Sequence, residues 1–155
     1  HWVTPIGFPV YQSYPEMKSK RVKAMLMGEV IKPRINTETD KTDRLRMSNG
    51  VAPNFVHSLD ASAMMRTVNI ANENGIQNFC NVHDSFGTTA GDVEMLSASL
   101  KKAFTEIFSG PCVLDEFKGD VKRQIPDKLH AKLPEVPSKG ELDVTELADC
   151  DFFFS

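Results

Sequence analysis

The chain has 155 residues, 41% of them hydrophobic, and a formal net charge of −3, enough apolar material for one ordinary domain core. The charge argues against a free-standing nucleic-acid binder, because residues 1–50 carry nine Lys/Arg against five Asp/Glu whereas residues 51–155 carry nine against sixteen. No apolar run is long enough to span a bilayer, and Cys80, Cys112 and Cys150 lack the spacing of a zinc site or a disulfide framework, which fits a reducing compartment.

Residues 1–50 read as a β-rich segment. Trp2 to Tyr14 contains two short extended runs around Pro5-Ile6-Gly7, and Val22 to Ile35 reads as two strands reversing near Gly28-Glu29. The basic cluster Lys18, Lys20, Arg21, Lys23, Lys32 and Arg34 either tracks a nucleic-acid backbone or forms the solvated face of a β-ribbon. Asn36 to Asn49 is polar and is expected to be a surface loop.

Residues 51–125 read as a helix, a hairpin and further helices. The first helix is expected from about Pro53 to Asn74, with Pro53 in its first turn, Gly75 in the left-handed position past its end, and Phe55, Leu59, Ala63 and either Val68 or Ile70 at helical spacing. An apolar strand, Ile76 to Val82, then reverses at His83-Asp84-Ser85 into a second strand, Phe86 to Thr89. A second helix, about Asp92 to Ser109, has the cleanest periodicity in Val93, Leu96, Leu100, Phe104, Ile107 and Phe108. Gly110-Pro111 stops it, and Val113, Leu114, Phe117 and Val121 begin a third helix that ends before Pro126. These Leu and Phe stripes are core, not chemistry.

Residues 126–155 form an irregular extension. Pro134, Pro137 and Gly140 mark a stiff connection, a short helix is expected near Leu142 to Ala148, and three phenylalanines precede the last serine. A contiguous exposed apolar tail invites association, so Phe152, Phe153 and Phe154 are expected to be buried. Each buried Phe contributes on the order of 1.5–3 kcal/mol.

A carboxylate at the tip of a hairpin stands on a rigid platform and faces whatever docks there. Magnesium prefers oxygen ligands, keeps several waters, and takes one or two protein carboxylates besides substrate phosphates. Asp84 is thus a candidate metal ligand, although an aspartate in a reversal is ordinarily a hydrogen-bonded turn residue. His57, near a helix N-terminus, ordinarily reads as a satisfied or capping side chain. Asp60 and Ser62 are expected on the polar face of the helix.

The surroundings of Asp84 and His57 shift these readings. Trp2-Val3-Thr4-Pro5, Gly7-Phe8-Pro9-Val10, the run Ala52-Pro53-Asn54-Phe55-Val56-His57-Ser58-Leu59-Asp60-Ala61-Ser62, His83-Asp84-Ser85 and Asp151-Phe152-Phe153-Phe154-Ser155 follow in fixed order. This order resembles the C-terminal part of the single-subunit DNA-dependent RNA polymerases of bacteriophages and mitochondria, from Trp2 to Ser155. The resemblance implies an α/β (α+β) fold, the C-terminal palm and fingers part of a right-hand polymerase, with helices packed on a small antiparallel sheet and the hairpin of Asp84. It implies template-directed transfer of ribonucleotides to an RNA 3′ end by two-metal phosphoryl transfer, with Mg2+ as cofactor.

By the same resemblance Asp84 is catalytic and one metal ligand, and its partner aspartate lies in an earlier palm segment. His57 corresponds to the family histidine near the RNA end and the nucleotide sugar, where an imidazole suits a ribose hydroxyl. His83 either contacts the primer backbone or braces the hairpin. The tail Phe152, Phe153, Phe154 and Ser155 folds back beneath the active site. The implied partners are template DNA, nascent RNA, ribonucleoside triphosphates, and the N-terminal polymerase portion or a separate subunit that supplies it, with no membrane.

The start at His1 suggests an interior piece of a longer reading frame, incomplete as a catalyst by itself, in the cytoplasm of a host cell or in a mitochondrion. Two other readings stay open: a related DNA polymerase, whose hairpin reads His-Asp-Glu where this chain has Ser85, and a non-catalytic interaction domain that keeps the fold.

Overall fold

The computed structural model describes residues 1–150 and Phe153. Its elements in chain order are strands β1 (Trp2–Val3), β2 (Pro9–Val10), β3 (Pro15–Arg21), β4 (Ala24–Leu26), β5 (Glu29–Ile31) and β6 (Arg34–Thr42), then helices α1 (Arg44–Glu73), α2 (Val93–Phe108) and α3 (Val113–Gln124). Short 3₁₀ turns cover Ala90–Asp92, Asp127–Lys132 and Val144–Asp149. Every strand pair is antiparallel, so the fold is α+β. Among the described residues no helix is long and apolar enough to cross a membrane. The contacts divide the chain into two units, Gln12–Asn54 and His1–Tyr11 with Phe55–Ser155.

In the first unit, β3 pairs with β6 and β4 with β5, and the amide of Val22 donates to the carbonyl of Pro33 to carry the ladder between the two pairs. Met27 and Gly28 both take positive φ, 49° and 84°, the backbone that a two-residue reversal needs to match strand twist. The expected reversal near Gly28 is therefore present. The expected loop from Asn36 to Asn49 is not: residues up to Thr42 belong to β6, and α1 begins at Arg44. Both faces of this ribbon are largely exposed, so no alternation of apolar side chains advertises it. The basic cluster lies along this ribbon and its β4–β5 end.

Helix α1 likewise starts ahead of the expected Pro53. Asp43 caps it, its carboxylate accepting the amide of Arg46 at 3.0 Å, the contact by which an N-cap aspartate satisfies a free helical donor. Pro53 then falls inside the helix, where its ring offers no amide to the carbonyl four residues back.

In the second unit the buried face of α1 is made of Ser58, Ser62, Ala63, Thr67, Ile70 and Ala71. Ser62, expected on the polar face, is fully buried. Its hydroxyl donates to the carbonyl of Ser58 at 2.7 Å and that of Thr67 to Ala63 at 2.7 Å, so the helix meets its own hydroxyls' needs and offers neighbours a small, closed surface. Asp60 is exposed, as expected.

The C-terminus of α1 is closed by two bonds. Gly75, at φ 99°, donates to the carbonyl of Asn72, and Ile76 donates to that of Ala71, both at 3.0 Å. This pairing, with an apolar contact between the same two positions, is the Schellman closure. Ala71, Ile76 and Leu96 form the buried cluster, and Phe79 and Phe86 pack on it. The expected strands Ile76 to Val82 and Phe86 to Thr89 are absent as strands; the chain is held instead by a single antiparallel bridge, Val82 to Ser85.

Helices α2 and α3 follow their expected limits closely. Leu96, Leu100 and Ile107 are buried, but Ser99 and Ala103 complete the face and Val93 is exposed. The extension runs from Pro134 to Gly140 without regular structure, as expected, and the helix near Leu142 is a 3₁₀ turn over Val144–Asp149 against α2. Phe153 is half-buried, its ring edge-on to that of Phe104 at 5.0 Å. Phe152, Phe154 and Ser155 lie outside the described residues.

A Cβ at position 75 meets no neighbour within 4 Å, so a substitution there reports backbone geometry alone. Gly75→Ala is expected to lower stability by about 1–2 kcal/mol, the cost of a left-handed L-residue, and Gly75→Asn by less. Urea denaturation measures both; an alanine variant as stable as the parent contradicts the left-handed closure.

Candidate active site

The stretch from Ile76 to Thr89 turns over at His83 and Asp84. The amides of Val82 and Ser85 each donate to the other's carbonyl at 2.9 Å, and one step further out the amide of Cys80 donates to the carbonyl of Gly87 at 2.9 Å. Thr88 Oγ1 donates to the carbonyl of Asn78 at 2.8 Å. His83 occupies the left-handed region at φ 53°, uncommon for a residue with a Cβ, and this conformation lets two residues complete the reversal. Gly87 has a steric reason: a Cβ there would stand 3.0 Å from the Cys80 carbonyl oxygen.

His57, Asp60, Ala61 and Met64 repeat at i, i+3, i+4 and i+7, a single stripe of an α-helix. That stripe forms one wall of an open groove of about 700 Å³, and Asn81, His83 and Asp84 form the other. The structure therefore brings together His57, His83 and Asp84, three residues singled out by sequence. Asp60 and Asn81 join them in the wall; the helical spacing from His57 to Asp60 is the sequence signal for the first, and no local pattern marks Asn81. Phe153 is not among the lining residues.

His57 is exposed and has no hydrogen-bond partner among the described residues, so it is neither a satisfied core histidine nor a cap. Asp84 is likewise exposed and engaged in no hydrogen bond or ion pair among the described residues. An unengaged carboxylate keeps its oxygen lone pairs available to a hard cation. No group of three or more His, Cys, Asp or Glu able to hold a metal occurs among the described residues. The donor set fits a magnesium ion that takes one carboxylate here and its other oxygens from water, substrate or residues elsewhere; imidazoles suit softer metals better.

Residues 1–132 match the family model of DNA-dependent RNA polymerase. The chain is 37% identical over 158 aligned positions to T7 RNA polymerase of Escherichia phage T7, a match that covers all of this chain and 18% of that enzyme. It is 36% identical to the DNA-directed RNA polymerase of Enterobacteria phage K11, covering 17% of its length. It is 34% identical to DNA-directed RNA polymerase 1A of Nicotiana tabacum, where the match covers 99% of this chain and 94% of the relative.

Proposed function

The chain belongs to the family of single-subunit, phage- and mitochondrial-type DNA-dependent RNA polymerases, and on that basis we propose that it is the C-terminal palm and fingers portion of such an enzyme, taking part in nucleotide addition together with the rest of the polymerase. The observation that carries this reading is the groove that His57 and Asp84 share. Template DNA, nascent RNA and ribonucleoside triphosphates are its partners, and residues outside the chain complete the site. The host cytoplasm suits a phage enzyme and the mitochondrion an organellar one.

Asp84 is the chain's magnesium ligand. Magnesium held by Asp84 and by residues outside the chain would supply charge stabilisation for phosphoryl transfer. The work of the chain itself is placement. The paired backbone bonds of Val82 and Ser85 fix the turn that presents Asp84 to the groove. Across the groove, His57 can donate from one ring nitrogen and accept at the other, and it meets the ribose hydroxyl that distinguishes RNA from DNA. His83 supplies the left-handed backbone of the turn, which supports a bracing role.

The tail reading rests on the resemblance and on the contact of Phe153 with Phe104. That contact gives the C-terminus an anchor on α2.

Three measurements on the complete polymerase test this reading. Asp84→Asn keeps shape but removes the charge, and is expected to lower nucleotide addition at least about 100-fold while promoter DNA binding stays intact; near-normal RNA synthesis refutes the ligand role. His57→Ala is expected to cost less in rate and to relax selection for the ribose 2′-hydroxyl, and unchanged selectivity refutes the sugar contact. Deleting Phe153 to Ser155 is expected to slow elongation without unfolding the enzyme, and full elongation by the truncated enzyme removes the tail from the mechanism.

A further inference from the structure

We infer that Trp2 is a positioning residue for His57, fixing the rotation of that turn of α1 from its buried side through a hydrogen bond to Ser58. The inference rests on the reading of His57 as a sugar contact. Successive residues of an α-helix are about 100° apart, so the residue after His57 points away from the groove. Ser58 is 8% exposed. Its hydroxyl donates to the carbonyl of Phe55 at 2.7 Å and accepts the indole Nε1–H of Trp2 at 3.0 Å.

Trp2 is itself fixed. It is 2% exposed, and its ring lies edge-on to Phe55 at 6.0 Å and to Phe117 at 5.5 Å, while Phe55 and Phe117 are 4.6 Å apart. The next residue of β1, Val3, donates its amide to Asp120 Oδ2 on α3 at 2.8 Å, and Asp120 is buried and paired with Arg123. The turn that carries His57 is thus referred to α3 through Ser58, Trp2 and Val3.

Ring packing is tolerant of small rotations, because dispersion contacts are many and non-directional. A hydrogen bond from an indole is not, since it weakens steeply as its angle departs from linear. Trp2 therefore adds to the apolar cluster a constraint on rotation, and His57 sits on the same turn. Displacements near 1 Å at a reacting centre cost up to about 100-fold in rate.

The test uses the complete polymerase and measures single-nucleotide addition with ribo- and deoxyribonucleoside triphosphates. Trp2→Phe preserves an aromatic ring and deletes the donor, and the Ser58 hydroxyl keeps its bond to Phe55, so no buried group is orphaned. It is expected to shift the melting temperature by no more than about 3 °C, to lower the preference for ribonucleotides about 3- to 30-fold, and to add almost nothing in a His57→Ala background. Ser58→Ala, which removes the acceptor and leaves the buried indole N–H without it, is expected to lower the melting temperature more but to give the same loss of preference and the same dependence on His57, and it serves if Trp2→Phe folds poorly. An equal effect of Trp2→Phe with and without His57, or unchanged preference in both variants while His57→Ala alters it, overturns the inference alone. Unchanged preference in His57→Ala overturns the reading of His57 and this inference with it.

Discussion

The bond from the Ile76 amide to the Ala71 carbonyl decides where Asp84 can be. It stops α1, turns the chain through Gly75, and drops the Ile76 side chain into the cluster with Ala71 and Leu96. From there Phe79 and Phe86 sit on either side of the turn and pack on the same cluster, so both limbs of the Asp84 loop are tied to the end of the helix that carries His57. Few regular hydrogen bonds hold the loop, a single bridge and its neighbours. Burial of its flanking aromatic side chains supplies the rest.

This arrangement separates two tasks along one helix. The stripe through His57, Asp60, Ala61 and Met64 keeps polar groups in the open groove, while the opposite side is closed by hydroxyls that bond backward to their own helix. Small side chains make up that buried side, and these backward bonds leave their hydroxyls satisfied.

Much of the fold was legible in the sequence where local chemistry and tertiary packing agree. Gly75, Gly110-Pro111 and the apolar repeat of α2 each punctuate or fill one element, and the structure places them as expected. Three features were hidden for distinct physical reasons. The β3–β6 ribbon is polar on both faces, so it lacks the alternation that marks a half-buried strand. Pro53 imitated a helix start although Asp43 supplies the real cap. The face with Ser62 and Thr67 looked solvated because hydroxyls count as polar until their intrahelical partners are seen. For the site, Asp84, His57 and His83 stood out through their motif context, whereas the part played by Trp2 and Ser58 depends on a contact across 56 positions that no local pattern reveals.

That difference in separation has a consequence for the order in which the site is assembled. The bonds that shape the Asp84 turn join residues within the span 78–88, and closing so short a loop is cheap and fast, on the scale of about 1–10 μs for a hairpin. The bonds that orient His57 join residues 56 and 117 positions apart in sequence, and long-range closures lag behind local ones. On this argument the carboxylate side of the groove matures first and the imidazole side is aligned only when β1 docks on α3, an order that φ-values at Ser85 and Trp2 measure directly.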